Sequence, residues 1–354
     1  MGERRVTLQT LADRLGVSRT TASNAFNRPD QLNPALRERV LALAAELGYA
    51  GPDPAGRALR SGRAGSIGVV FTEGLSYTFT DPASVAILGG VAAEAERAAT
   101  SLVLLPASFS STGGPTAEAV RSALVDAFFI VSLPEDHPSL RAALERNVPV
   151  VIADTPRVDG VPFVGIDDRG GARSAAAHLA QLGHAQIGVI AFRLRADEHE
   201  GLVDARRRHQ AAYRVTRERL EGYAEGLDGE WDEVPLYETF PNSRAAGARA
   251  ARTLLALEPR PTALLAMSDE LALGALDAAR ELALDVPGEL SVVGYDDAPA
   301  AAAAALTTVR QPLVEKGRAA GRMLLEALDG GTPADVTLPT ELVVRGSTAA
   351  PLRP

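Results

Sequence analysis

The sequence predicts an α/β protein in two parts: a small all-α helix-turn-helix headpiece over residues 1–50, and a bilobal body over residues 65–354 built on two doubly wound parallel sheets. Three observations predict it. Apolar residues recur at helical spacing in the first fifty positions, interrupted by turn signals. A stretch rich in proline and glycine follows over residues 51–64. Beyond it, short apolar runs alternate with helical stretches, twice over, as parallel sheets covered by helices require.

In the headpiece, Leu8, Leu11, Ala12 and Leu15 fall at i, i+3, i+4 and i+7 and make one apolar stripe. Thr7 is placed to cap that helix and Gly16 to end it. Ser18 caps a second helix, Arg19 to Phe26, whose Ala22, Ala25 and Phe26 face inward while Arg19, Thr20, Ser23 and Asn24 face outward. A helix with small inward residues and hydrogen-bonding outward ones suits a DNA major groove, where side chains read base edges. Asn33-Pro34 then starts a third helix with Leu36, Val40, Leu43 and Leu47 on its buried stripe, ending at Gly48.

Charge is divided along the same boundary. The chain of 354 residues carries a net −9, yet residues 1–64 hold ten arginines against six acids, a net +4. The rest holds 26 basic and 39 acidic groups, a net −13. A basic head on an acidic body fits contact with phosphate at one end only. Lys316 is the only lysine in an alanine-rich and arginine-rich chain, which reads as a coding bias. There is no cysteine, hence no thiolate chemistry, and no apolar run approaches the ~18 residues of a membrane helix. Without a secretory leader in the sequence given, the expected location is the cytoplasm, at the nucleoid.

The linker predicts one short helix, from the cap Asp53 and Pro54 to about Arg60, too short to persist alone. In the body, strands are predicted over 66–71, 101–105, 126–131 and 148–153, then over 186–191, 233–237, 262–267 and 289–294. Helices are predicted over 85–98, 140–146, 171–182, 219–227, 244–257 and 270–282. Ligands of such folds bind at the carboxyl ends of the strands, here between the lobes. The charged stretch 192–218, with Arg206-Arg207-Arg208-His209, is either a lid over that cleft or a solvated extension of the following helix.

No catalytic or metal constellation emerges, and no cofactor is expected. His178 and His184 lie six apart and share no helix face. Gly89-Gly90 and Gly170-Gly171 lack dinucleotide or P-loop spacing. The pairs Asp167-Asp168 and Asp296-Asp297 sit at loop ends.

The residues carry a more specific likeness. Val6-Thr7-Leu8, Leu11-Ala12, the run Gly16 to Thr21 through Asn27, Arg37-Glu38-Arg39-Val40 and Glu46-Leu47-Gly48-Tyr49 resemble the headpiece of the lactose-repressor (LacI/GalR) family. So, in the body, do Gly183 to Gly188, Glu218 to Tyr223, Ser268 to Ala275, Gly294 to Asp297, Leu306 to Pro312 and Leu338 to Arg345. The resemblance covers nearly the whole chain. It implies a regulator that binds double-stranded operator DNA as a homodimer or higher oligomer, and a body like a periplasmic binding protein that senses a small-molecule effector such as a sugar. It assigns DNA contact to Thr7, Leu8, Ser18, Arg19, Thr20, Thr21, Ser23, Asn24, Asn27 and Tyr49. Leu59 matches a leucine that wedges into the minor groove from paired hinge helices; the alternative is a passive tether. Effector binding falls to Arg219 and Asp269, with Phe240 as a stacking wall; the alternative is an Arg219–Asp269 ion pair. Two departures stand out. Asn24 occupies the place of an arginine that reads guanine, and either reads adenine or contacts phosphate. Gly56 replaces an alanine and weakens the hinge helix. The family also crosses residues 192–218 in far fewer positions.

Overall fold

A computed structural model describes residues 6–51, 62–107, 114–227 and 231–352. The predicted hinge helix, with Gly56 and Leu59, lies outside the described residues. The chain folds into two compact units that divide between Gly65 and Ser66.

The first unit holds helices α1 (Leu8–Leu15), α2 (Arg19–Asn27) and α3 (Pro34–Glu46). Thr7 caps α1 through a reciprocal bond with Thr10, and Gly16, at φ 67°, ends it in the left-handed conformation that glycine adopts without strain. Ser18 caps α2 by accepting from Thr21 N at 3.0 Å. Leu8, Leu11, Ala12, Ala22 and Ala44 form the core, with Phe26 edge-on to Tyr49 at 5.8 Å between ring centroids.

The second unit contains two sheets. The first is built from β1 (Ser66–Phe71), β2 (Ser101–Leu105), β3 (Ala127–Val131), β4 (Val150–Ala153) and β5 (Phe163–Ile166). The second holds β6 (Ile187–Ala191), β7 (Gly201–Leu202), β8 (Leu236–Glu238), β9 (Ala263–Ala266), β10 (Ser291–Asp296) and β11 (Thr307–Arg310). Two late strands are shared out: β12 (Val336–Leu338) joins the first sheet and β13 (Glu341–Val343) the second. The strand orders are β12-β5-β4-β3-β1-β2 and β13-β11-β10-β9-β6-β8-β7. Every described pairing in the first sheet is parallel, whereas the second ends in antiparallel edges at β7 and β13. Apolar clusters cover both faces of each sheet, which is why the strands read as continuous rather than alternating apolar runs.

The lobes are not simply consecutive in the chain. After β11 the chain leaves the second lobe at Gln311-Pro312, and the helix Leu313–Leu328 packs into the core of the first. It approaches the helix Pro82–Arg97 so closely that a Cβ on Gly90 would lie 2.1 Å from the Val314 carbonyl oxygen, and one on Gly317 2.1 Å from that of Ile87. Of the pair Gly89-Gly90, read as lacking a dinucleotide spacing, Gly90 thus serves helix packing, while a Cβ on Gly89 would meet nothing within 4 Å. Further crossings fall at Asp167 and at Pro339-Thr340, so several strand-to-strand segments border one cleft.

Candidate functional site

The carboxyl ends of parallel strands converge on a cavity of about 200 Å³ between the lobes. Thr72 follows β1, Ser132 follows β3, and Asp154 follows β4 on one side. Phe192 follows β6, Met267 and Ser268 follow β9, and Asp296 ends β10 on the other. Direct bonds bridge the lobes across it: the Tyr77 hydroxyl donates to the Asn242 carbonyl at 2.9 Å, and Arg193 pairs with Glu73.

Arg219 lies in this cavity, 4% exposed, on the helix Arg214–Gly226. Its Nε donates to Asp168 Oδ1 at 2.9 Å and its Nη1 to the Met267 carbonyl, while the guanidinium lies 3.6 Å above the Tyr295 ring. Burial works against its charge, but Asp168 acting together with Tyr295, Asp296 and Tyr223 outweighs that and holds the guanidinium pKa above its ordinary value. Asp168 in turn is pushed upward by desolvation, and its Oδ2 is buried without a hydrogen-bond partner. Phe240 also lines the cavity, with the Arg193 guanidinium 5.5 Å from its ring centroid.

Asp269 does not reach the cavity. The expectation that it faces a ligand, or pairs with Arg219, gives way to internal bonding: Oδ1 accepts from the Thr308 hydroxyl at 2.6 Å and Oδ2 from Ala298 N at 2.7 Å. It ties the start of the helix Asp269–Glu281 to the loop after β10, and desolvation raises its pKa to about 7. The second-lobe acid that does line the cavity is Asp296, with Oδ1 accepting from Gln311 Nε2 at 2.5 Å. Burial, and then the neighbouring Asp269, push Asp296 well above the usual carboxylate range.

Lys316 is a second residue that sequence reading passed over. The ammonium is buried and bonds Asp154 Oδ1 at 2.8 Å, Oδ2 at 3.1 Å and Gln311 Oε1 at 3.3 Å. A hydrogen-bonded chain, Asp154–Lys316–Gln311–Asp296, therefore runs along the cavity wall from one lobe to the other. The available signal was that a lone lysine stands in a chain that otherwise uses arginine.

The stretch 192–218 is not a free lid, and only its last residues, 214–218, extend the following helix. β7 pairs antiparallel with β8. Arg207 bonds both Asp197 and the fully buried Glu238, and Arg208, 4% exposed, donates to the Trp231 and Val234 carbonyls. A charge run reads as solvated only when its partners lie beyond the window being read, and here they sit on β8 and beside it. The segment brings Arg193 and Tyr213 to the cavity.

In the headpiece, Arg19 and Thr20 are exposed and Thr21, Asn24, Asn27 and Tyr49 partly so. Ser23, expected on the outward face, is buried, because its hydroxyl accepts from Asn27 Nδ2 at 3.0 Å. Leu8 is likewise a core residue, while Thr7 and Ser18 are exposed with side chains engaged in helix capping.

Comparison with known proteins bears on both units. Residues 7–51 match the model for bacterial regulatory proteins of the lacI family, and residues 176–348 match that of a periplasmic binding protein-like domain. The chain is 44% identical over 352 residues to the HTH-type transcriptional regulator Rv3575c of Mycobacterium tuberculosis, covering 98% of each. Among solved structures it resembles a lac repressor dimer bound to operator and the anti-inducer ONPF, with a TM-score of 0.77, 27% identity and coverage of 98% of this chain and 100% of that one. It also resembles a complex of the transcriptional regulator CelR with cellobiose, with a TM-score of 0.68, 29% identity and coverage of 97% and 100%.

Proposed function

The chain belongs to the LacI family of DNA-binding transcriptional regulators, and from that premise we propose that it is a repressor whose operator affinity is set by a sugar or related metabolite bound between the lobes. Residues 1–50 are the DNA-reading headpiece, 51–64 the hinge and 65–354 the effector-binding and dimerisation domain. The protein acts in the cytoplasm, at the nucleoid, as a homodimer on a near-palindromic site.

DNA contact falls to the exposed and half-exposed polar residues of α2 (Arg19, Thr20, Thr21, Asn24) with Thr7, Ser18, Asn27, Tyr49 and Leu59 in support. Ser23 and Leu8 hold the helix in place from behind. In the cleft, Arg219 and Phe240 contact effector and Asp296 takes the role first given to Asp269. The cellobiose complex of the similar CelR supports a sugar as the ligand class.

The observation that carries the allosteric reading is the chain Asp154–Lys316–Gln311–Asp296. A ligand in that cavity touches both ends of one interlobe network, so its binding energy depends on the angle between lobes. Lobe rotation then makes or breaks hinge pairing. The test is fluorescence anisotropy of labelled DNA selected by the protein from a random pool. Competition by unlabelled selected duplex, with little by scrambled duplex, supports the reading; equal competition by both overturns it.

A further inference from the structure

We infer that residues 193–213 form a clasp that gives the cleft its selectivity, presenting the Tyr213 hydroxyl to a hydroxyl group of a neutral, monosaccharide-sized effector. The inference rests on the effector reading above and sharpens it.

Tyr213 lines the cavity, is 6% exposed, and its hydroxyl is buried without a hydrogen-bond partner. A buried hydroxyl left unbonded is costly, and proteins rarely retain one without a use. Desolvation pushes the phenol up to about 12, so it stays protonated and can both donate and accept.

The position is held firmly. Leu194 N donates to Glu238 Oε1 at 2.7 Å, Ala212 N donates to the Leu194 carbonyl at 2.7 Å, and Arg207 fastens the same Glu238 from the other side. Arg193 stacks over the Tyr213 ring at 5.2 Å. The start of the clasp, and Arg207 within it, are thus fixed to β8 and its far end is fixed to its start, so the tyrosine there has little freedom to turn away.

The charges around it define the ligand class. Among the described residues, each cation lining the cavity already faces a carboxylate: Arg193 faces Glu73, Arg219 faces Asp168 and Lys316 faces Asp154. A phosphate or carboxylate would have to displace one of those partners, whereas a neutral polyol needs only donors and acceptors. The volume of about 200 Å³ falls below the roughly 300–1,000 Å³ of pockets for drug-sized ligands, which favours one sugar ring over two.

The test uses the full-length protein with D-ribose, D-glucose, D-galactose, cellobiose and D-glucose 6-phosphate. Thermal shift selects the tightest binder, and calorimetry then compares wild type with Tyr213→Phe. The expected result is a monosaccharide whose affinity falls about tenfold in the variant, the scale of one lost bond to a buried hydroxyl. One monodeoxy derivative should lose the same factor on wild type and nothing further on the variant. The ligand-free variant should melt no lower than wild type, since it loses an unbonded polar atom; a hydroxyl kept for structure would lower it. Wild-type affinity in Tyr213→Phe overturns the inference and leaves the effector reading standing. Preference for the phosphate or for cellobiose overturns the ligand class. Binding of none of the five overturns the sugar-effector reading and the inference together.

Discussion

Lys316 Nζ sits 2.8 Å from Asp154 Oδ1 and 3.1 Å from Oδ2, a buried ion pair made by the only lysine among 354 residues. The lysine belongs to the helix that returns from the second lobe, and the aspartate follows β4 in the first. The same ammonium reaches Gln311 at the crossing, so the pair anchors the segment that joins the lobes.

Removing one member of such a pair leaves the other charge buried. Lys316→Met should therefore destabilise the body by about 3–5 kcal/mol. Adding Asp154→Asn should recover at least half of the loss, because no charge is then stranded. Urea denaturation of the two variants checks this; equal midpoints for single and double variants would show that packing, not charge, sets the cost.

Arg219 and Asp269 should separate cleanly in binding. Arg219→Ala removes a side chain that lines the cavity and should weaken the best-binding sugar by tenfold or more, about 1–3 kcal/mol. Asp269→Asn should leave that affinity within about twofold, since its carboxylate bonds Thr308 and Ala298 instead. Calorimetric titration distinguishes them. A larger loss for Asp269→Asn would restore it as a ligand contact.

Stability should fall as pH rises through neutrality. Asp269 is held up to about 7 from an ordinary 3.8, so between these values the folded state binds the proton and the unfolded state does not. The stabilisation that this proton gives is present at lower pH and lost as pH passes about 7. Asp168 and Asp296, raised by burial, act in the same direction. His178 and His184 are lowered by burial from 6.5, and their opposite effect dies away about one unit above that value. Both histidines are common to wild type and Asp269→Asn, so the difference between the two proteins over the window from pH 6.5 to 8 isolates Asp269. Thermal melts across it should decline for wild type and decline less for Asp269→Asn; a rising profile would reverse the assignment.

The hinge prediction follows from the linker sequence. Leu59→Ala should reduce operator affinity, because a methyl group cannot prop open a base step. Gly56→Ala should act oppositely, favouring helix by roughly 1 kcal/mol. Operator affinity and DNA bending, followed by fluorescence transfer between labelled ends, measure both. Wild-type binding and bending by Leu59→Ala would make the hinge a passive tether.

What the sequence disclosed follows from how far each signal reaches. β1 and β3 were legible because buried parallel strands are short apolar runs bounded by turns. β5, β12 and β13 span only three or four residues each and carry too little pattern to stand out. The home of helix Leu313–Leu328 depends on close approach between Gly90 and Gly317, far apart in the chain. Asp269 was assigned to the effector by the resemblance alone; Thr308 and Ala298, which occupy its carboxylate, are remote in sequence. Ser23 faced outward on a helical wheel, and its bond to Asn27 was not part of that projection. Arg219 and Phe240, assigned by the resemblance, line the cavity.

Linkage between the two ligands tests the central claim most directly. Operator affinity of the full-length protein should be measured with and without saturating sugar, and sugar affinity with and without saturating operator. If the cleft controls the headpiece, both affinities change by the same factor, typically about 5–150-fold, and Arg219→Ala reduces both changes together. Tight sugar binding that leaves operator affinity unchanged would contradict the account.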